Sequence, residues 1–391
     1  METAEMLRGP FQQEEGFCWI SDLPQYEDLA DNAENISRSR LVLYEDGRPL
    51  GPANSSHSDI RAKGDGRFAH WTDKLYFSTP DNSDPNENGR TYTIAFSPED
   101  WLGRFPEKQK KIREAVAYSL KVAKDHLSRL PEQPGFLHGK TVMELGPGND
   151  LGVAMVILGH GARAIIIDKY LLEWDDSFHP YFYKMFLASA RAVFPKMDTS
   201  PIEEVIRNKR HAAPNLECHK CGLEEVDFLP DECVDVSFSN AVFEHFYDPE
   251  LACKELFRLT KLDGFAFHQI DFRDHRNLGR PLEYLTLRDD EFQVLFNSIQ
   301  GECGNRFRYH EFQSFLEKAG FTILHFEKNT FADESYVSDV LLRSQPRFRE
   351  MEREYMRVLG GRFFCVRTNL AHPKNYLVLN GTVKVTDDNV K

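Results

Sequence analysis

The sequence has no long apolar run, no excess of positive charge and no leader-like start. A helix needs about 20 consecutive apolar residues to cross a bilayer, and no stretch of the 391 residues approaches that length. With 48 Lys and Arg against 62 Asp and Glu, the formal net charge is −14. Sequence-independent nucleic-acid binding needs a net basic surface. Residues 1–17 lack the basic and apolar regions of a signal peptide. We therefore expect neither a membrane span nor a nucleic-acid partner.

Cysteines are few, odd in number and scattered along the chain. The seven thiols predict a reduced protein of the cytoplasm. Cys218-His-Lys-Cys221 is a lone pair at metal-ligand spacing. Zinc needs about four ligands, and no second pair stands at a matching distance, so we predict no metal site. The simpler interpretation is that Cys218 ends a buried strand.

The first 105 residues are rich in turn formers, with short β-favouring runs between them. Phe68-Ala-His-Trp71 and Lys74-Leu-Tyr-Phe77 flank Thr72-Asp73, a pattern typical of a hairpin. Arg90 to Phe96 alternates as a further strand. We predict an accessory domain over 1–105, folded as an antiparallel β-sandwich.

The pattern then changes to alternating helices and strands. Apolar residues at three- and four-residue steps predict one helix over 107–130. Short apolar runs at 141–145, 164–167, 234–238 and 264–270 are separated by helical stretches. Such alternation favours an α/β domain with a mostly parallel sheet. We place it at 106–330 and expect the remaining segment, 331–391, to add a last strand near Arg362–Arg367.

The strongest motif is a glycine loop after the first of these strands. The strand Thr141-Val-Met-Glu-Leu145 runs into Gly146-Pro-Gly148, and a helix opens near Leu151. Glycines let the backbone turn sharply and approach a ligand closely. Asp168 ends the next strand, about 20 residues on, where an acidic side chain binds ribose hydroxyls. The pattern predicts a nucleotide-containing ligand. A dinucleotide fold would have a third glycine where Leu151 stands, and Glu144 suits a cationic ligand better than a pyrophosphate.

These residues resemble the first two motifs of the class I S-adenosylmethionine-dependent methyltransferases. The acid-x-Gly-x-Gly pattern is matched by Glu144-Leu-Gly146-Pro-Gly148, and the acid after the second strand by Asp168. Later motifs of the family are similar to Leu229-Pro-Asp-Glu-Cys-Val-Asp235, to Asn240-Ala-Val-Phe-Glu-His245 and to the run from Glu255 through Arg258 to Lys261-Leu-Asp-Gly264. The resemblance spans about residues 138–330. It implies a Rossmann-like fold, with a mostly parallel seven-stranded sheet and helices on both faces.

The resemblance also implies the donor site. S-adenosylmethionine would contact Gly146, Gly148 and Asp168, with Glu144 and Asn240 near its methionine end. Many relatives have an Asp after the third strand for the adenine amine, where this chain has Gly222. We therefore assign adenine binding to the backbone of Gly222 and Leu223.

Candidate catalytic residues follow the fourth and fifth strands, because ligands bind at the carboxyl ends of parallel strands. Methyl transfer requires positioning and, for many acceptors, removal of a proton. His245, His268, Asp271 and His275 are the candidates. Helix packing is the alternative for His245, and a satisfied core histidine is the alternative for His268.

Three further segments bear on the acceptor. An aromatic-rich stretch between Tyr170 and Asn215 predicts either a substrate-facing cap or two helices packed on the sheet. Thirteen arginines between 273 and 367 suit either an anionic acceptor or ion pairs with nearby acids. The glycines of Gly301-Glu-Cys-Gly304 suggest an acceptor-site loop.

The N-terminal region resembles a β module fused to bacterial transferases of surface-polysaccharide clusters. The resemblance lies in Tyr44–Gly51, Ser56–Arg61, Gly66–Trp71 and Leu75–Asp84. It includes polar and aromatic residues that suit either sugars or a domain interface: His57, Asp59, Arg67, His70, Trp71 and Asp81.

We therefore predict an S-adenosylmethionine-dependent methyltransferase acting on a hydroxyl of a saccharide or another small polar acceptor, either neutral or anionic, with polysaccharide biosynthesis as its setting. The alternatives are an NAD(P)-dependent oxidoreductase on a related fold and a non-catalytic glycan-binding protein. The sequence does not indicate the oligomeric state.

Overall fold

The computed structural model describes residues 5–32, 38–96, 106–133, 135–298, 303–368, 375–379 and 381–386. The chain divides into two compact units. The first comprises Met1–Ala117 and Trp174–Met185, and the second comprises Tyr118–Glu173 and Phe186–Lys391. Among the described residues, no helix combines the length and apolar character needed to cross a membrane.

The first unit contains two four-stranded antiparallel sheets. In sheet order they are β1 (Glu5–Met6), β8 (Tyr92–Phe96), β4 (Leu41–Glu45) and β5 (Arg48–Pro49), and then β2 (Gln12–Glu15), β3 (Cys18–Asp22), β7 (Lys74–Phe77) and β6 (Phe68–Trp71). Side chains of both sheets, among them Leu43, Ile94, Phe68 and Phe77, share one apolar core. The predicted antiparallel sandwich is confirmed, as is the hairpin that pairs Trp71 with Lys74.

One helix of the first unit, α1 (His57–Lys63), packs on the outer face of the second sheet. Ser56 caps it by accepting a hydrogen bond from the backbone N–H of Asp59, which satisfies one of the free donors of its first turn.

The second unit is built on a seven-stranded sheet. Its order is β11 (Leu216–His219), β10 (Arg163–Ile167), β9 (Thr141–Leu145), β12 (Val234–Asn240), β13 (Thr260–Asp271), β15 (Val358–Val366) and β14 (Thr322–Phe331). The first five strands are parallel, and β15 is antiparallel to both of its neighbours. The predicted Rossmann-like, mostly parallel sheet is confirmed, and each of the four strands predicted for it is present.

Helices accompany this sheet. They are α2 (Pro106–Arg129), α3 (Gly152–Gly159), α4 (His179–Val193), α5 (Ser200–Asn208), α6 (Pro249–Leu259), α7 (Asp289–Ser298), α8 (Tyr309–Ala319), α9 (Glu334–Arg343), α10 (Pro346–Arg349) and α11 (Arg353–Arg357). His126 of α2 stacks on Phe238 of β12 with ring centroids 4.5 Å apart. On the other face, α6 and α8 bury Leu256, Leu259, Phe312 and Leu316 in one apolar cluster. A further hairpin joins β16 (Asn375–Leu379) and β17 (Thr382–Thr386).

The parallel strands bring their carboxyl ends to one edge of the sheet. β9, β10, β11, β12 and β13 end there at Leu145, Ile167, His219, Asn240 and Asp271. The loops that follow these strands therefore surround one common space, as in other open α/β sheets.

Candidate functional site

A cavity of about 630 Å³ lies at this edge of the sheet. Its walls come from the loops after β9, β10, β11 and β12 and from α7. The lining includes Gly146, Gly148, Asp168, Lys169, Tyr170, Leu172, Cys221, Gly222, Leu223, Val242, His245, Tyr247 and Phe296. Five of the seven predicted donor-site residues thus meet in one cavity. Glu144 lies within β9, and Asn240 ends β12 just before the lining residue Ala241.

The glycine loop has the backbone conformation that its sequence requires. Gly146 and Gly148 have φ of 61° and 80°, in the left-handed region that side-chain-bearing residues rarely occupy. A Cβ on Gly146 would lie 2.5 Å from Cγ2 of Val242, whereas a Cβ on Gly148 would meet nothing within 4 Å. Gly146 therefore permits close packing of the loop against the segment after β12, and Gly148 presents bare backbone to open space.

Acidic groups surround this loop. Glu144 is 5% exposed, and its Oε2 atom has no hydrogen-bond partner among the described residues. Burial, with a smaller contribution from Asp150 and Asp168, raises the pKa of Glu144 to about 8. Asp150 accepts hydrogen bonds from Ser119 Oγ and from the backbone N–H of Gly152, both at 2.8 Å. Burial nevertheless raises the pKa of Asp150 to about 6. Glu144 is therefore mostly protonated at pH 7 in the ligand-free protein, and a cationic ligand bound at this loop would favour the ionised form of both acids.

The ribose and adenine candidates line the cavity in the loops after β10 and β11. Asp168 accepts a hydrogen bond from the backbone N–H of Tyr170 at 2.7 Å, and burial raises the pKa of Asp168. The backbone N–H of Gly222 donates to Oε2 of Glu225 at 2.9 Å. Leu223 is 1% exposed and closes the apolar floor. A carboxylate beside an apolar slot suits a nucleoside, whose ribose is polar and whose base is flat.

One candidate catalytic residue, His245, lines the cavity. Burial is the main cause that lowers the pKa of His245 to about 4, and repulsion from His275 adds to it. The rings of His245 and His275 are 5.5 Å apart, edge to face. Nε2 of His275 lies 3.3 Å from Oδ2 of Asp271, which also accepts from Nη2 of Arg273 at 2.6 Å. The structure therefore brings His245, His275 and Asp271 together.

His268 lies apart from this group. It is 1% exposed inside the sheet, with Nε2 3.1 Å from Ser237 Oγ and Nδ1 2.8 Å from Ser239 Oγ. Burial lowers the pKa of His268 to about 3. These contacts favour the alternative of a satisfied core histidine, because both ring nitrogens are already hydrogen-bonded. His268 is therefore not proposed as the catalytic base.

Sequence reasoning missed Glu244. Both carboxylate oxygens of Glu244 are buried without a side-chain partner, and burial raises the pKa of Glu244 to about 8. Its backbone carbonyl accepts from the N–H of Asn305, whose Nδ2 donates to the carbonyls of Phe243 and Phe246. Asn305 thus holds the turn that carries His245.

The predicted loop Gly301–Gly304 lies partly outside the described residues, since 301 and 302 are not among them.

The arginines between 273 and 367 are engaged within the protein. All except Arg308, Arg349 and Arg353 pair with a carboxylate. Arg349 and Arg353 donate to Ser344 O and Ser338 Oγ. Arg308 is fully buried and donates to the carbonyls of Phe272, Tyr355, Met356 and Val358. This pattern favours ion pairing and structural capping as the reason for the enrichment.

The aromatic-rich stretch contains helices α4 and α5, and its first residues, Tyr170 and Leu172, line the cavity. The helix-pair interpretation matches this secondary structure, while a cap role stays a prediction.

In the first unit, His57 contacts Trp71 with ring centroids 6.0 Å apart. The other candidates there have separate partners: Asp59 with Lys63, Arg67 with Asp65, His70 with Ser39 and Asp81 with Arg90.

The comparison with known families agrees with the site. Residues 184–268 match the family model for a methyltransferase domain. This match supports a methyltransferase. The matched residues extend from α4 to β13 and include the candidate His245, while the glycine loop lies before them. No curated protein matches the chain.

Solved methyltransferases are also similar to this chain, at low identity. An S-adenosylmethionine-dependent methyltransferase from Mesorhizobium loti is 16% identical over 59% of this chain and 92% of its own, with a TM-score of 0.33. Geranyl diphosphate C-methyltransferase from Streptomyces coelicolor A3(2), solved with Mg²⁺, geranyl diphosphate and S-adenosylhomocysteine, is 14% identical over 64% of this chain and 79% of its own, with a TM-score of 0.35.

Proposed function

We propose that the protein uses S-adenosylmethionine to methylate a hydroxyl group of a saccharide or another small polar acceptor. The observation that carries the proposal is the cavity at the carboxyl edge of the sheet. It joins the glycine loop, Asp168 and the Gly222–Leu223 backbone above a buried acid, Glu144. Its volume of about 630 Å³ is within the usual range for a site that encloses a small ligand.

The residues present fit the donor in three respects. The carboxylate of Asp168 would accept hydrogen bonds from both ribose hydroxyls, and the slot beside Gly222 and Leu223 would take the adenine. The open backbone at Gly148 allows close approach of the methionine end. A positively charged ligand would lower the pKa of Glu144, whose Oε2 has no hydrogen-bond partner among the described residues, and the carboxylate so formed would be its counter-charge in a low-dielectric setting. When bound, the donor supplies an electrophilic methyl group.

His245 would act on the acceptor. His245 would take the proton that an acceptor hydroxyl releases as its oxygen receives the methyl group. Burial lowers the pKa of His245 to about 4, so its imidazole is neutral at pH 7 and has a nitrogen that can accept a proton, although a pKa this far below the operating pH makes it a weak base. Asp271, whose pKa is held at about 2 despite burial by hydrogen bonds from His275 and Arg273, remains negative and stabilises the positive charge that develops.

Ligand binding tests the donor half of the proposal. We expect isothermal titration calorimetry to detect S-adenosylhomocysteine and to detect no NAD. Asp168→Ala should weaken binding at least tenfold, because the ribose hydroxyls lose their charged acceptor. Asp227→Ala, an exposed aspartate outside the cavity lining, is the control and should bind as the parent does. Binding of NAD alone would instead support the oxidoreductase, and absence of both ligands would support the non-catalytic glycan-binding protein.

Label transfer tests the acceptor half. We expect His245→Asn to lower methyl transfer from tritiated donor into saccharide fractions of cell extracts by about 10²-fold, the usual contribution of a general base. His275→Ala should have a smaller effect, since His275 only supports His245. Full activity in His245→Asn would rule out this base while leaving the donor site intact.

Two sequence observations argue against the oxidoreductase. Leu151 stands where a dinucleotide site has its third glycine, and it is buried at 1% exposure at the start of α3. The carboxylate of Asp150 would repel a pyrophosphate placed at the same loop, and burial next to a pyrophosphate would offer Glu144 no counter-charge.

The link to polysaccharide biosynthesis follows only from the resemblance of the N-terminal module. That link, the domain boundaries at 105 and 330 and the cytoplasmic location stay predictions.

A further inference from the structure

We propose that the acceptor is an uncharged polyhydroxyl compound held by four neutral side chains, Tyr118, Asn240, Gln269 and Asn329, which we call the amide strip. The inference rests on the proposed function, because it assigns the acceptor side of the same site. It differs from that proposal in excluding anionic acceptors and in naming residues outside the donor cavity.

The strip begins beside the glycine loop and extends away from it across the sheet. Asn240 and Gln269 are register partners at the ends of β12 and β13, and the N–H of Ala241 donates to the carbonyl of Gln269 at 3.0 Å. Two residues earlier, Phe238 and Phe267 stack on one another, and Phe238 also stacks on His126 of α2. Because side chains alternate along a strand, Asn240 and Gln269 share this α2 face.

Each of these two side chains is held by one further neutral group. Asn240 Nδ2 donates to the hydroxyl of Tyr118 at 2.6 Å, and Asn329 Nδ2 donates to Oε1 of Gln269 at 2.8 Å. A glycine in β15 permits the second contact, since a Cβ on Gly360 would lie only 3.0 Å from Oδ1 of Asn329. The two pairs therefore lie beside one another on this face, with Asn240 next to Gln269 in register and the second pair reaching across β15 from β13 to β14.

The row adjoins the donor cavity. Asn240 directly precedes Ala241 and Val242, which line that cavity, and β12 pairs with β9, the strand that leads into the glycine loop. An acceptor lying on the strip would therefore approach the donor from the α2 face of the sheet. Tyr118 is 56% exposed, so its phenol is accessible to such a molecule.

The chemistry of the row suits hydroxyl groups. Amide and phenol groups both donate and accept hydrogen bonds, and the Tyr118 oxygen that accepts from Asn240 keeps its own hydrogen to donate. Three charged groups near β13, β14 and β15 are already paired: Arg273 with Asp271 at 2.6 Å, Arg362 with Asp125 at 2.5 Å and Lys328 with Glu354 at 2.6 Å. A phosphate or carboxylate beside Gln269 or Asn329 would have to break one of these pairs to find a counter-charge.

Saturation-transfer-difference NMR on the full chain loaded with S-adenosylhomocysteine tests the inference. The panel contains neutral oligosaccharides, the matching sugar phosphates and hexuronates. We expect the neutral oligosaccharides to give the strongest signals, and we expect Gln269→Ala, Asn329→Ala and Tyr118→Phe each to reduce those signals at least fivefold. Gln313→Ala, which removes an amide from α8 that donates to Glu317, is the matched control and should leave them unchanged.

Affinity for S-adenosylhomocysteine is measured on every variant and separates the two proposals. Loss of donor binding in the parent protein would contradict the proposed function itself. If the parent protein binds the donor, three results would overturn the proposed acceptor site. They are a preference for phosphates or hexuronates, no signal from neutral saccharides, and unchanged signals in Gln269→Ala and Asn329→Ala. Tyr118→Phe removes a single exposed hydroxyl and leaves the core unchanged. We therefore expect this variant to fold as the parent does, so that a lower signal reports lost acceptor binding.

Discussion

Glu144 shows how one buried side chain links the donor site to the stability of the domain. In the unfolded chain its pKa is near 4.5, whereas burial raises it to about 8 in the folded protein. Between these two values the folded protein retains a proton that the unfolded chain releases. The free energy of unfolding must therefore fall as pH rises through this window.

We predict that Glu144→Gln removes this dependence. Glutamine keeps the shape of the protonated acid but does not titrate. Between pH 5.5 and pH 8, wild type should lose ~2–3 kcal/mol of unfolding free energy relative to the variant, at about 1.4 kcal/mol per pKa unit. Urea unfolding without ligand at the two pH values measures this difference. Asp150, Asp168 and Glu244 titrate in both proteins, so their contributions largely cancel.

Glu250→Gln is the control, because Glu250 pairs with Lys254 on the exposed side of α6 and should give the wild-type pH dependence. Equal pH dependence in wild type and Glu144→Gln would mean that Glu144 is ionised in the folded protein.

At the residue scale the sequence predicts what is local. Gly146, Gly148 and Asp168 follow from a strand, a turn and a second strand, all within a short span, and they meet in the cavity. Asn329 is different, because it reaches Gln269 only after β15 pairs between β13 and β14. Local spacing carries no information about that pairing. His268 looked like a base because its sequence neighbours are titratable, while the serines that hold it come from β12.

At the scale of elements, α2 organises the carboxyl edge through two adjacent residues. Tyr118 accepts a hydrogen bond from Asn240 at the end of β12, and Ser119 donates to Asp150 after the glycine loop. The same turn of helix thereby contacts the acceptor strip and the donor loop. Periodicity predicted this helix at 107–130, close to the observed Pro106–Arg129, but periodicity reports only the apolar face. The polar contacts of Tyr118 and Ser119 were not predictable from it.

We predict that Ser119→Ala loosens the donor loop. Asp150 would keep the Gly152 N–H as a donor but lose the hydroxyl at 2.8 Å, which costs ~1–2 kcal/mol for a buried carboxylate. The dissociation constant for S-adenosylhomocysteine should rise about three- to tenfold, measured by calorimetry. Ser128→Ala, whose hydroxyl donates to Asp125 O within α2, should leave both stability and affinity within error. An unchanged affinity in Ser119→Ala would show that the loop is fixed without this contact.

At the scale of the whole molecule, the chain does not divide at one point. The first unit includes Trp174–Met185 as well as Met1–Ala117, so a segment between β10 and β11 folds with the N-terminal sheets. Composition and motifs predicted boundaries near residues 105 and 330, and these stay predictions, because both signals are read in chain order. The grouping of Trp174–Met185 with the N-terminal part of the chain depends on tertiary packing, which composition does not reveal.

We predict that a chain lacking residues 1–105 is unstable. Phe182 and Tyr183 are fully buried and belong to the segment Trp174–Met185, which groups with the N-terminal part of the chain, so we expect removal of residues 1–105 to expose part of this segment. Each lost aromatic burial is worth about 3 kcal/mol or more. The shortened chain should aggregate on size-exclusion chromatography or melt at least 10 °C lower by differential scanning fluorimetry, since ~1 kcal/mol shifts the melting temperature by about 2–4 °C in a domain of this size. Removal of residues 387–391 is the control for truncation itself, and a stable monomeric 106–391 chain would contradict the assignment.

The position of β15 between β13 and β14 has a consequence for biosynthesis. β13 and β14 (residues 260–271 and 322–331) leave the ribosome before β15 (residues 358–366). Neither strand can therefore form its hydrogen bonds with β15 until that last strand has been synthesised. During that interval each presents unpaired backbone groups that can pair with another chain. Synthesis of this protein therefore includes a late, aggregation-prone stage, and the acceptor edge of the sheet is completed only when it ends.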